Sequence, residues 1–199
     1  MKLYFVRHGE SEANTRHVIS NRESPFGLTA LGKRQAAKLA ESLKSIPMNS
    51  IFSSPILRAR ETAEILSQKL QLPIHITESL REYDCGILED KSDEASWEAH
   101  RTTYHEWTLR QNFQEKPEGG ESFLDIQNRF LPFIEKITHD NLHADNHILL
   151  IGHGGLFTLM LPLVLTDIDK DFFSNGFGHT ECVTAELCPS GLVMISTFG

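Results

Sequence analysis

The sequence predicts an α/β layered fold built on a mainly parallel sheet. Three observations carry that prediction. Short apolar runs of strand length alternate with longer stretches of helical periodicity. One run, "HILLI" (147–151), is apolar at every position after its first, as in a strand covered on both faces. The chain closes on "CVTAELC" and "LVMISTF", joined through "PSG", which reads as a hairpin.

Each element follows from local signals. Lys2–Arg7 is a short buried strand. Thr29 caps a helix through "ALGKRQAAKLAESLKSI", whose residues Leu31, Gln35, Leu39, Leu43 and Ile46 fall on one stripe. "SIFSS" (50–54) is a second strand, with Ser54 as N-cap and Pro55 at the first position of the next helix. That helix runs to about Leu70 and turns Ile56, Ala59, Ala63, Leu66 and Leu70 inward. "PIHI" (73–76) is a third strand. It leads into an irregular stretch, 78–98, with eight acidic and two basic residues. Helical segments at roughly 93–112 and 121–138 flank the turn "KPEGGE". "HILLI" is the fourth strand, followed by "GLFTLMLPLVL" (155–165). This last run is about half a bilayer span and contains Pro162, so it reads as a kinked buried helix or as a helix used in dimer packing.

Length and composition suit one domain over 1–199, with a short helical insertion at about 91–140. The net charge is −8, from 19 basic and 27 acidic residues, which excludes a nucleic-acid partner because phosphate-backbone binding needs a basic face. Only four apolar residues separate Lys2 from Arg7, too few for the core of a secretion signal, and no run spans a membrane. Cys85, Cys182 and Cys188 have no C-x-x-C spacing and suit free, packing thiols in a reducing cytoplasm.

The reactive residues fall just beyond the strands. Arg7 and His8 end the first, Arg58 lies in the first turn after the second, Glu82 follows the third, and His153 follows the fourth in "IGHGG". Ligands of open α/β sheets bind at the carboxyl ends of strands, so these five side chains are expected on one rim. Two guanidiniums suit a multi-oxygen anion such as phosphate, and a histidine is a competent nucleophile at neutral pH. Glu82 is the obvious proton carrier for a leaving alcohol. Phosphoryl transfer asks chiefly for positioning and charge neutralisation, which arginines, a second histidine and the amides after His153 supply without metal. Gly9 would allow a tight turn beneath His8, and Gly154 and Gly155 would bring main-chain amides close to a phosphate.

Plainer readings stand beside these. Arg7 and His8 alone fit a surface strand end, Arg58 and Arg60 a solvated helix face, Glu82 a loop carboxylate and Asn14 a turn residue. "IGHGG" lacks the glycine at 157 that a dinucleotide fingerprint needs, and the chain has no G-x-S-x-G elbow. A zinc site from His8, His153 and His179 has no recognisable ligand spacing. His179 reads as a loop residue lining or capping the pocket. Tyr83, Trp97, Trp107 and Phe26 form either an apolar entrance or plain packing.

Six segments in order resemble the histidine phosphatase superfamily, the branch of cofactor-dependent phosphoglycerate mutases and many small-molecule phosphatases. They are "RHGESEAN" with "LTALGKRQA", then "SSPILRARETA", "LREYDCGILED", "PEGGES" and "IGHGG". The resemblance implies a phosphoglycerate mutase-like, three-layer α/β/α sandwich. It also implies that His8 becomes phosphohistidine and that Arg7, Arg58 and His153 hold the phosphoryl group, with Asn14 and Gly154 adding contacts. Glu82 would serve as general acid, then base. Neither cofactor nor metal is implied; the partner is a small phosphorylated metabolite, and the chain is a monomer or homodimer. Asp90 departs from the pattern, standing where the acid motif commonly ends in glycine.

Within the family the sequence favours hydrolysis of small phosphate monoesters. A mutase usually carries tryptophan where Ala13 stands, and a longer insertion after the acid motif with a paired arginine; residues 91–118 are short and acidic. The eight acids of 78–98 are expected to repel substrates of high negative charge. A silent phospho-ligand binder, from a different class, would usually lack the nucleophile or an arginine.

Overall fold

A computed structural model describes residues 1–22, 24–142, 144–166, 168 and 176–199. Its elements, in order, are β1 (Lys2–Arg7), α1 (Glu12–Thr15), α2 (Ala30–Leu43), β2 (Met48–Ser53), α3 (Leu57–Leu70), β3 (Ile74–Ile76), α4 (Glu94–Thr108), α5 (Phe123–Asp140), β4 (His147–Gly152), α6 (Gly154–Val164), β5 (Cys182–Cys188) and β6 (Gly191–Phe198). The strands form one six-stranded sheet in the order β3-β2-β4-β1-β5-β6. The pairs β3–β2, β2–β4 and β4–β1 are parallel, and the closing hairpin β5–β6 is antiparallel to β1 and to itself.

Side-chain alternation along the strands splits the core in two. Leu3 and Phe5 of β1, with Ile148 and Leu150 of β4, pack on one face against Phe130 and Ile134 of α5 and Met160 of α6. Tyr4, Val6, Leu149 and Ile151 face the other way, against Leu39 and Leu43 of α2 and Ala63 and Leu66 of α3. A period of two in the strands thus produces helix, sheet and helix layers, a three-layer α/β/α sandwich. The β1–β4 register places Arg7 beside Gly152, so His8 and His153 leave the sheet side by side.

Several local expectations are corrected. Leu31 is 42% exposed; the buried stripe of α2 starts at Gly32 and runs through Ala36, Leu39, Ala40 and Leu43, because the first turn of α2 packs on the loop after β1. Helix α3 starts at Leu57 behind Ile56, with no side-chain cap. Ser54 is therefore not its N-cap, and Pro55 lies before the helix. Helix α4, capped by Asp93, stops at Thr108 rather than near 112, and Gln111 takes a left-handed conformation with φ 56° in the turn that follows. Helix α5 is capped by Ser122, and α6 buries Leu156, Phe157 and Met160 within its own chain. Cys85 and Cys182 are buried and Cys188 half-buried, all three as free thiols. Among the described residues no helix is long and apolar enough to cross a membrane.

Candidate active site

The tip of β1 fixes His8 through its two ring nitrogens. Nδ1 lies 2.7 Å from the Gly9 carbonyl oxygen, and Nε2 lies 2.9 Å from Arg58 Nε. A carbonyl can only accept and a guanidinium can only donate, so the proton sits on Nδ1 and Nε2 carries the lone pair. Burial, then the cations Arg58 and Arg7, hold the imidazole well below its ordinary pKa of 6.5, which keeps it neutral. Gly9 is needed for close approach rather than for a tight turn: a Cβ there would lie 2.6 Å from the Gly32 carbonyl oxygen.

Arg58 reaches His8 because the first turn of α3 follows directly on the tip of β2. Its Nη1 donates to the Ser20 carbonyl at 2.6 Å and its Nη2 to Asn21 Oδ1 at 3.5 Å. Burial lowers its pKa from 12.5 to about 10, so it remains a cation. Arg60, two residues on and so on the other side of the helix, is exposed and 4.0 Å from Glu64. Arg7 donates through Nη1 to the Phe177 carbonyl, while its buried Nε finds no hydrogen-bond partner among the described residues. Gly154 leaves room for that Nε, since a Cβ would lie 3.2 Å from it.

His153 is brought beside His8, as its place directly after β4 implies. It is fully buried, its ring centroid lies 5.1 Å from that of His8, and its Nε2 is 2.8 Å from Ser54 Oγ. Ser54 Oγ also accepts from the Ile56 amide at 3.2 Å, just ahead of α3. His153 Nδ1 has no partner among the described residues. The ring packs edge-on against His8 at an interplanar angle of 62° and is not among the described residues that line the cavity.

Glu82 departs from the simple picture. Its carboxylate accepts from the amides of Gly155 at 2.9 Å, Leu156 at 2.7 Å and Tyr83 at 3.2 Å. Two amides at the start of α6, expected to face a phosphate, are therefore engaged by the acid. The reason is local: a buried carboxylate needs donors, and the unpaired first N–H groups of α6 are the nearest. Gly155 permits it, because a Cβ would lie 2.6 Å from the Tyr83 ring. Burial raises the Glu82 pKa above 4.5, opposed by Arg58 and the three amides.

These groups border a cavity of about 460 Å³. Arg7, His8, Asn14, Arg58, Glu82 and Gly154 lie on its wall, as do Tyr83 and Trp97. Trp107 is 1% exposed in the core, and Phe26 lies under the Arg16 guanidinium at 5.4 Å, so neither shapes the entrance. Asn14 is both a turn and a wall residue: its Oδ1 closes a capping box with Ser11 and lies 3.1 Å from His179 Nε2. The His179 ring centroid is 6.0 Å from that of His8, and burial lowers its pKa to about 4. Of the eight acids in 78–98, Glu82 is the one on the wall. Asp84 pairs with Arg22 at 2.8 Å, Glu89 accepts from the Asn21 and Cys85 amides, and Asp93 caps α4. Glu89 also stands close enough to raise the pKa of Arg58 by its charge, so part of this segment's negative charge does reach the site. Nothing in the sequence singles out Ser20 and Asn21, which hold Arg58, and Ser54, which meets His153, looks there only like a helix cap. Ser20 acts through its carbonyl, which any residue would supply. Among the described residues no group of three or more His, Cys, Asp or Glu side chains could hold a metal ion.

Comparison with known proteins gives concordant results. The family model for the histidine phosphatase superfamily (branch 1) matches residues 3–193. A protein of Proteus mirabilis named "Probable phosphoglycerate mutase GpmB" is 33% identical over 83% of this chain and 75% of its own. The adenosylcobalamin/alpha-ribazole phosphatase of Salmonella typhimurium is 31% identical over 83% of this chain and 80% of its own. Among solved structures, YhfR of Bacillus stearothermophilus superposes with a TM-score of 0.81 at 26% identity, covering 97% of this chain and 94% of that one.

Proposed function

Because the chain belongs to branch 1 of the histidine phosphatase superfamily, we propose that it is a phosphatase that hydrolyses small phosphate monoesters through a phosphohistidine on His8. One observation favours hydrolysis over mutase chemistry. Among the described residues of the wall, the permanent cations are Arg7 and Arg58, and both stand at His8. A mutase must also grip a second anionic group of its substrate, and the described residues along the rest of this cavity include no guanidinium or ammonium for it.

The steps follow from the geometry. The substrate phosphate takes up Arg58 and the unpaired Nε of Arg7, releasing the His8 Nε2 lone pair from its hydrogen bond. Nε2 attacks phosphorus as the P–O ester bond breaks, and Glu82 delivers its proton to the departing alkoxide. The phosphorylated ring keeps its Nδ1 proton on the Gly9 carbonyl, which stabilises the positive imidazole. Water then attacks phosphorus, the Glu82 carboxylate takes its proton, the P–N bond breaks and inorganic phosphate leaves. His153 supports the His8 ring edge-on. Charge neutralisation by Arg7 and Arg58 makes the reaction metal-independent in this reading, so turnover is expected to survive exhaustive chelation.

The test compares p-nitrophenyl phosphate hydrolysis with 3-phosphoglycerate isomerisation, using His8→Ala as the blank. Hydrolysis that requires His8, with acid-labile label trapped on the protein, supports the reading. Robust isomerisation with feeble hydrolysis, or hydrolysis unchanged in the variant, overturns it.

A further inference from the structure

Helix α4 carries Trp97, His100 and Tyr104 at spacings of three and four residues, which puts the three rings on one helical face. All three lie on the cavity wall, with Tyr83 beside them and Val18 and Ile19 completing an apolar end. The rings are held before any ligand arrives. Tyr83 Oη is 2.8 Å from His100 Nε2 and their rings stack at 5.6 Å with an interplanar angle of 22°. Trp97 meets His100 edge-on at 5.2 Å and donates through Nε1 to the His17 carbonyl at 2.7 Å. Tyr83 is braced from the core by Trp107 at 5.3 Å.

We propose that this wall is a built site for a planar aromatic ring, so that the ester taken is the phosphate of an alcohol bearing such a ring close to its oxygen. Aromatic groups gain from offset and edge contacts, and rings already fixed by their neighbours bind with little ordering cost. A hydroxyl-rich sugar would find few free polar partners here: the Ser20 carbonyl and Asn21 Oδ1 hold Arg58 and His100 holds Tyr83, which leaves the Ser20 hydroxyl as a buried group on the wall without a partner among the described residues. An anionic tail would need a cation, and burial keeps His100 neutral, with a pKa near 4. The inference rests on the phosphatase reading for the ester bond, but not for the recognition of the ring.

The experiment separates the two. Benzyl and ethyl phosphate have leaving alcohols of similar acidity, so their kcat/KM ratio reports recognition of the ring. A ratio of about tenfold or more, carried by KM, is expected. Trp97→Ala and Tyr104→Leu should each reduce that ratio severalfold, with Trp97→Phe restoring part of it. In parallel, benzylphosphonate and ethylphosphonate binding is measured by calorimetry, which needs no turnover. If no ester is hydrolysed while benzylphosphonate still binds more tightly in a Trp97-dependent way, the phosphatase reading fails and this one stands. Equal handling of benzyl and ethyl compounds, a ratio unmoved by both variants, or preference for glucose 6-phosphate over benzyl phosphate overturns the proposal.

Discussion

The cavity has two unlike walls. One is made by the sheet: His8 and Arg7 sit at the end of β1 and Arg58 just beyond β2, with His153, directly after β4, packed against His8. The other is made by loops and a helix: residues 18–21, the segment around Glu82 and Tyr83, and one face of α4. The sheet wall is rigid because neighbouring parallel strands fix its tips in register. The loop wall is held by hydrogen bonds between its own parts, such as Ile19 N–H to the Lys91 carbonyl at 2.9 Å and Asp90 N–H to the Ile19 carbonyl at 2.8 Å. In the proposed reaction, groups that must meet phosphorus within fractions of an ångström are concentrated on the first wall, and the two walls divide the work. Groups that choose among alcohols stand on the second, where changes of sequence disturb the sheet least. Glu82 joins the two, rooted in the loop but bonded to the first turn of α6.

The strongest way to break this division is at the sheet tip. His8→Ala is expected to lower kcat by at least roughly 10⁴-fold, with the folded state intact by circular dichroism. His153→Ala, beside that tip, should lose about 10²-fold and still trap labelled phosphate on His8. Equal losses in the two variants would show that the tips act as one unit. Retained label in His8→Ala would place the nucleophile elsewhere.

Next in size is the joint. Glu82→Gln should cost about 10²- to 10³-fold with benzyl phosphate and far less with p-nitrophenyl phosphate, whose leaving group needs no proton. A glutamine also turns one N–H₂ toward donors now held by a carboxylate, so a lower Tm is expected alongside. The same loss on both esters would remove Glu82 as the acid.

A third test uses pH. The first step needs neutral His8, held well below pKa 6.5, and protonated Glu82, raised above 4.5. Activity should therefore peak on the acid side of neutrality and fall about tenfold per pH unit above the Glu82 pKa. Glu82→Gln should flatten that alkaline limb and leave the acid limb in place. Stability has the opposite trend. His8, His100, His153 and His179 all have folded pKa values below their unfolded value near 6.5, so the unfolded chain binds more protons and stability is lost as pH drops below 6.5. Glu82 opposes this weakly, since its contribution is present below about 4.5 and lost as pH rises through its raised value. A Tm that rises on acidification from pH 6.5 to 5.5 would contradict the neutral, buried histidines.

How legible each wall was in the sequence follows from the same contrast. The sheet wall announces itself, because apolar strand runs end on arginine or histidine with glycine at the next step. The placement of Arg58 over Arg60 followed from its position in the first helical turn. The loop wall hides its contacts in main-chain atoms: nothing in the identity of Ser20 indicates that its carbonyl will bind Arg58. Side chains with two uses also mislead. Ser54 looks like the cap of α3, yet its hydroxyl meets His153 and the Ile56 amide while the helix starts one residue later, and the acids of 78–98 divide among ion pairs, a helix cap and the proposed proton carrier on the wall. Aromatic residues divided by depth, Trp97 on the wall and Trp107 in the core, which no local pattern distinguishes.

The smallest expected effect probes the loop wall alone. Asp90 has φ 62°, in the left-handed region that favours glycine, which supplies the reason this position commonly holds glycine in the family's acid motif. It is exposed, and its amide pairs with Ile19, next to the Ser20 carbonyl that holds Arg58. Aspartate tolerates the left-handed region better than most residues, so Asp90→Gly trades a small steric gain against greater freedom in the unfolded chain. Stability should change by no more than about 0.5 kcal/mol, with kcat within twofold of the parent. Asp90→Val puts a β-branched side chain into the same conformation and should lose about 1–2 kcal/mol, read as a lower Tm. If the loop wall positions Arg58 through Ser20, the valine variant should also raise KM for every ester in proportion, leaving the benzyl-to-ethyl ratio unchanged. A valine variant as stable as the parent would mean that the turn at 90 is not under conformational demand. A shift in the ratio would mean that this turn governs the choice of alcohol as well as the grip on phosphate.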